Sequence, residues 1–100
     1  MDMRRDRYLT DATTALAEAA GRLDRLQARV QRVRGIDRRA WQHELDLLRG
    51  GCNRVAARIE DVRRAPEDAW QTARLHTDTA LSGLIAGLDR LEGLITPLAA

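Results

Sequence analysis

A chain of 100 residues has room for one domain core and little for a second. It is 44% apolar and 32% charged, and Tyr8, Trp41 and Trp70 are its only aromatic residues. This composition resembles long-helix or coiled-coil chains more than a compact mixed fold. Sparse β-branched residues leave a sheet without support, and the single cysteine, Cys52, excludes an intramolecular disulfide.

Every basic residue is Arg, and the net charge of +2 is unevenly spread. Residues 1–64 carry 15 Arg against 10 acids, whereas residues 65–100 carry 2 Arg against 5 acids. Such asymmetry can orient helices, pair subunits or attract an anionic partner. Arg4, Arg5 and Arg7 are followed by no apolar signal-peptide core, and the most apolar stretch, Thr79 to Leu88, is about half a membrane span. With one cysteine and neither signal, a reducing cytoplasm is the expected location.

The first segment runs from about residue 4 to 34. Leu9, Leu16, Leu23 and Val30 recur every seven residues, and Ala12, Ala19, Leu26 and Val33 follow three places later, an a/d heptad. Gly35 suits the left-handed position that closes a helix, and Asp37 suits the N-cap of the next. Ile36 and Trp41 have the spacing of a hydrophobic staple. Together these predict a tight helix–helix turn.

The second segment, 38–64, carries Trp41, Leu45, Leu48, Cys52, Val55, Ile59 and Val62 in steps of four and three. Gly50-Gly51 interrupts it at about 1 kcal/mol per glycine relative to Ala. Because the seam keeps its phase, a weak, bent helix is expected, with a short loop as the alternative. At Ala65-Pro66-Glu67-Asp68 the seam changes phase, Pro66 suits the first helical position, and the two acids suit the first turn. A tight connection is expected, and a kinked continuous helix is the alternative. The third segment, 66–96, carries Trp70, Thr77, Leu81, Leu84, Leu88, Leu91, Ile95 and Leu98. Ile85 and Leu94 widen its stripe, as in a helix with two neighbours. Pro97 ends it.

The seam residues resemble those of small bacterial coiled-coil proteins, largely uncharacterised and sometimes labelled stress-response proteins. The resemblance runs through Tyr8-Leu9, Leu16, Leu23-x-x-Leu26, Leu45-x-x-Leu48 and Ile59-x-x-Val62-x-x-Ala65 to Ala65-Pro66-Glu67-Asp68-Ala69-Trp70 and Ala80-x-x-x-Leu84. Asp68-Ala69-Trp70 is its most distinctive step. The resemblance implies a helical, non-enzymatic protein that accompanies stress and carries over no functional residue. The chain departs from the family pattern in using Arg alone and in Gly35, Gly50 and Gly51.

Candidate chemistry is thin. His43 and His76 fall off the core stripe. His43 has Asp46 one turn away, but neither histidine has the convergent partners that catalysis needs. No Glu-x-x-His pair occurs, and Cys52 has no histidine in its helical neighbourhood, so no metal or other cofactor is expected. Cys52, at an a position, reads first as a small buried hydrophobe and second as an intermolecular disulfide. Arg22, Arg25, Arg29 and Arg32 form a stripe that Arg34, Arg38 and Arg39 extend. The stripe reads first as a flank pairing with acids such as Glu60, Asp61 or Asp89, and second as an anion-binding surface for nucleic acid or anionic lipid. Gly83-x-x-x-Gly87 permits close helix approach. The third stripe could lie on a lipid or polymer-granule surface, but only Arg74 and Arg90 lend its polar face positive charge.

The sequence therefore predicts an all-α, elongated, antiparallel three-helix bundle forming one domain over residues 1–100, with coiled-coil packing. If the Pro66 joint stayed straight, the third helix would project and pair by exchange with a second chain, so a homo-oligomer, most simply a dimer, is expected. The expected function is non-enzymatic, through self-association and protein–protein contacts, and anionic-surface binding is the alternative.

Overall fold

The computed structural model describes residues 3–98. It contains three α-helices, α1 (Met3–Arg32), α2 (Arg38–Arg64) and α3 (Trp70–Ile95), packed side by side into a rod of 54 × 19 × 15 Å. All three pairs of helices touch, and the α2–α3 contact is the most extensive. One continuous core runs along the rod, with Leu23, Leu26, Val55, Val62, Trp70, Leu88, Leu91 and Ile95 essentially sealed from solvent. The heptads dictate this arrangement, because each helix is apolar along one stripe and can bury it only against the other two.

Both joints reverse the chain. At the first, Gly35 adopts φ 77°, a conformation costly to any residue with a Cβ. The Asp37 carboxylate then accepts from the Ala40 N–H at 3.1 Å and caps α2. The outgoing end of α1 is closed by Arg38, whose guanidinium donates to the carbonyls of Val30 (3.2 Å), Gln31 (3.1 Å) and Val33 (2.9 Å). Ile36 and Trp41 both pack against the core at this end.

At the second joint the chain turns back, so the kinked continuous helix is not what forms. Helix α3 begins at Trp70, four residues later than the sequence predicts. Pro66 to Ala69 form a turn in which the Pro66 carbonyl accepts from the N–H groups of Ala69 (2.9 Å) and Trp70 (3.2 Å). Glu67 and Asp68 therefore lie outside the helix they were expected to start. Helix α1 latches the turn from the side: the Arg5 guanidinium donates to the Ala65 carbonyl at 2.7 Å and to Glu67 at 3.0 Å. It also stacks 5.5 Å from the centroid of the buried Trp70 ring. At the far ends, α1 stops at Arg32 and α3 at Ile95, slightly short of the predicted limits. Leu98, expected to extend the seam, is 51% exposed.

Gly50-Gly51 does not break α2. A Cβ on Gly51 would sit 3.3 Å from Leu84 Cδ1, and one on Gly87 would sit 2.7 Å from Leu48 Cδ2. The helix tolerates glycine here because α2 and α3 need the space to approach each other. One buried polar side chain lies on the third seam among the described residues: the Thr77 hydroxyl is 2.9 Å from the Ala73 carbonyl and 3.1 Å from the Arg58 carbonyl of α2. Its single proton can serve either acceptor, so the hydroxyl is satisfied.

The register explains which flank is covered. Leu48 meets Gly87, Gly51 meets Leu84 and Arg58 meets Thr77, so α2 and α3 run antiparallel. Arg49 and Asp24 pair at 2.8 Å across the antiparallel α1–α2 contact. Helix α1 then runs parallel to α3, with Tyr8 donating to Asp78 at 2.6 Å, Arg22 pairing with Asp89 at 2.6 Å and Arg29 donating to Thr96 at 3.0 Å. The α3 seam residues Trp70, Thr77, Leu84, Leu88, Leu91 and Ile95 are buried between two neighbours in the same chain, so α3 does not project.

Candidate functional site

The predicted anion stripe is split by this packing. Arg22 and Arg29 lean onto α3: Arg22 bridges Asp89 and Glu92, and Arg29 reaches Thr96. The two carboxylates raise the pKa of the Arg22 guanidinium above its usual value, mainly by accepting its hydrogen bonds, Glu92 first and then Asp89. Arg25 and Arg32 are exposed on the outward side of α1. The flank-pairing reading thus describes Arg22, with Asp89 among the acids expected. Glu60 instead meets Arg63 (3.1 Å) and Arg64 (3.8 Å), and Asp61 meets Arg58 at 3.2 Å, each within α2.

The titratable candidates do not converge. His43 and His76 are exposed, on α2 and α3 respectively, and Asp46 accepts from Gln42 at 2.8 Å. Cys52 is buried, and burial pushes its thiol up in pKa. Tyr8 is half-buried, and its pKa is pushed up by desolvation and then by its hydrogen bond to Asp78. Among the described residues, no three of His, Cys, Asp and Glu come together as metal ligands. A groove of about 440 Å³ between α1 and α2 is lined by Asp6, Leu9, Thr10, Thr13, Thr14 and Arg63. It is open and shallow and encloses no reactive pair.

What the bundle does leave open is the outer face of α2 and α3. Once the core is closed, Leu47 (53% exposed), Leu94 (52%) and Leu98 (51%) still stand in solvent. A groove of about 260 Å³ near the α1–α2 turn has walls of Ala40, Trp41 and Glu44 from α2 and Arg90, Leu91 and Leu94 from α3. Heptad spacing extends the face along the rod. Ala40, Leu47 and Arg54 fall seven apart on α2, and Arg90, Gly83 and His76 fall seven apart on α3. Nothing lies within 4 Å of a Cβ built on Gly83, so this wall of the face is open. Leu75, 59% exposed, lies on the opposite side of α3 from Leu84 and stands apart from it.

The charges on this face are unequal. Glu44 is matched by Arg90 at 3.0 Å, and Asp61 by Arg58. Arg39 and Arg54 make no ion pair among the described residues, and neither does Asp46, which lies seven residues after Arg39 and accepts from Gln42. The Arg54 guanidinium folds back over α2, 3.7 Å from where a Cβ of Gly50 or Gly51 would be. Sequence reading assigned Leu94 to a widened stripe and left Leu47 and Arg54 aside. A chain-local pattern says which residues share a face, but not which flank the third helix leaves bare.

No helix among the described residues is long and apolar enough to cross a membrane. Comparison with protein families, with characterised proteins and with solved structures found no match. Fold and surface together define the class as an up-down-up three-helix bundle with an open, apolar-floored face along its second and third helices.

Proposed function

We propose that the protein is non-enzymatic and acts through protein–protein contacts, self-association included, with the outer face of α2 and α3 as the contact surface. The observation that supports this reading is the pair of exposed leucines, Leu47 on α2 and Leu94 on α3, the second lining the Trp41 groove, in a chain whose seams are otherwise closed. The resemblance to stress-related coiled-coil proteins points to contacts made under stress. Anionic-surface binding by the Arg22, Arg25, Arg29 and Arg32 stripe is the weaker reading, because Arg22 and Arg29 already face acceptors on α3.

Sedimentation equilibrium over a wide range of concentration and salt, on the wild type and on Leu47→Glu/Leu94→Glu, tests the proposal. Self-association should rise with concentration in the wild type and vanish in the variant. A strict monomer at every salt, with wild type and variant capturing the same proteins, would overturn it.

A further inference from the structure

We infer that the end of the rod at the α1–α2 turn docks on an anionic lipid bilayer, which the molecule meets end-on. The inference stands apart from the α2–α3 contact surface and from the arginine stripe along α1. Its first support is charge. Residues 29–43 and 93–98 make up this end, because Arg29 donates to Thr96 and Trp41 shares a groove with Leu94. They hold Arg29, Arg32, Arg34, Arg38 and Arg39 against Asp37 alone, a net of +4, whereas the rest of the chain holds 12 Arg against 14 acids, a net of −2. The helix termini gathered here, two negative and one positive, subtract only about half a charge. Further along the rod, Asp24, Glu44, Asp89 and Glu92 are each matched by an arginine, and Asp46, two helical turns beyond Arg39, is the first carboxylate without an ion pair. Arg32, Arg34 and Arg39 are exposed and make no ion pair among the described residues, and Arg38, donating only to carbonyls, keeps its charge. A flat anionic surface attracts this end and repels the body behind it, which selects the end-on pose. The second support is the apolar surface set among these arginines: Leu94 and Leu98, each about half exposed, with half-buried Ile36 and Trp41. A phosphodiester backbone would meet the guanidiniums and leave the leucines in water. A bilayer interface takes both, guanidiniums at the headgroup phosphates and apolar tips just beneath them.

Co-sedimentation with vesicles of equimolar phosphatidylcholine and phosphatidylglycerol, and with phosphatidylcholine alone, tests the inference. The protein should bind the anionic vesicles only, and added salt should weaken the binding. An arginine close to such a surface contributes roughly fivefold, so Arg32→Gln/Arg34→Gln/Arg39→Gln should bind about tenfold or more weakly than the wild type. Arg7→Gln/Arg54→Gln/Arg64→Gln removes the same formal charge beyond a screening length from this end and should bind as the wild type does. Both variants are checked for native helicity by circular dichroism. Leu94→Ser/Leu98→Ser should weaken vesicle binding about threefold or more. Orientation is read with brominated phosphatidylglycerol. It should quench the wild type but not Trp41→Phe, whose remaining indole, Trp70, sits at the opposite end of the rod. Equal losses in the two arginine variants would overturn the inference, as would quenching of Trp70. So would tighter binding to duplex DNA than to vesicles, unchanged in the leucine variant, because the contact would then be with phosphate alone. Absence of vesicle binding at low salt would overturn it while leaving the α2–α3 contact surface untouched.

Discussion

At the scale of single residues, the glycines of α3 make opposed expectations. Gly83 and Gly93 have open space where a Cβ would go, so Gly83→Ala should raise stability by about 0.5–1 kcal/mol through helix propensity alone. Gly87→Ala gains the same propensity but drives its Cβ to 2.7 Å from Leu48 Cδ2, so it should destabilise by about 1 kcal/mol net. Urea melts of the two variants distinguish them, and equal stabilisation would show that the α2–α3 approach is looser than described. Tyr8 gives a pH dependence. Desolvation and Asp78 hold its phenol protonated in the fold beyond its unfolded value near 10. The folded state therefore binds more protons than the unfolded chain at alkaline pH. The contribution is fully present below about pH 10 and is lost as pH rises above it. Burial gives Cys52 the same sign. With no lysine in the chain, few other groups titrate there. Stability followed from pH 8 to 11.5 should fall in the wild type and fall less in Tyr8→Phe. A Tyr8→Phe curve parallel to wild type would remove the assignment.

At the scale of elements, the three seams and the first joint were legible because their signals are local. Heptad spacing places Leu23, Val55 and Leu88 in the core, and Gly35 and Asp37 mark a turn whose geometry needs no distant partner. Asp37→Ala should cost about 1 kcal/mol by uncapping α2, measurable as a shift in the thermal midpoint. The second joint was legible only in part. Pro66 reads equally as the first residue of a helix or as part of a turn. The choice falls to Arg5, more than sixty residues away, which holds the Ala65 carbonyl, Glu67 and the Trp70 ring together. Arg5→Ala should therefore increase amide exchange over residues 65–70 while leaving the α1–α2 turn protected. Gly51 misled in the same way: taken alone it weakens a helix, and only its packing against Leu84 shows that it sets the helix spacing, whereas Gly87 makes the close approach that its spacing from Gly83 implies. The candidate face was the least legible feature. Half of the arginine stripe turned onto α3 because α1 and α3 run parallel, and the bare flank emerged only once the third helix had a place.

At the scale of the whole molecule, one consequence of the second turn governs the rest. A chain that closes its own seams leaves the α2–α3 face as its apolar contact surface, whereas an exchanged dimer would cover different surfaces and impose a fixed stoichiometry. The measurement that bears most directly on this is small-angle scattering with in-line mass determination at low salt and low concentration. The expected result is the 11.2 kDa monomer, with a radius of gyration close to 15.9 Å and a long axis near 54 Å. A concentration-independent species of twice that mass and a longer axis would contradict the closed bundle, and with it the contact surface proposed here.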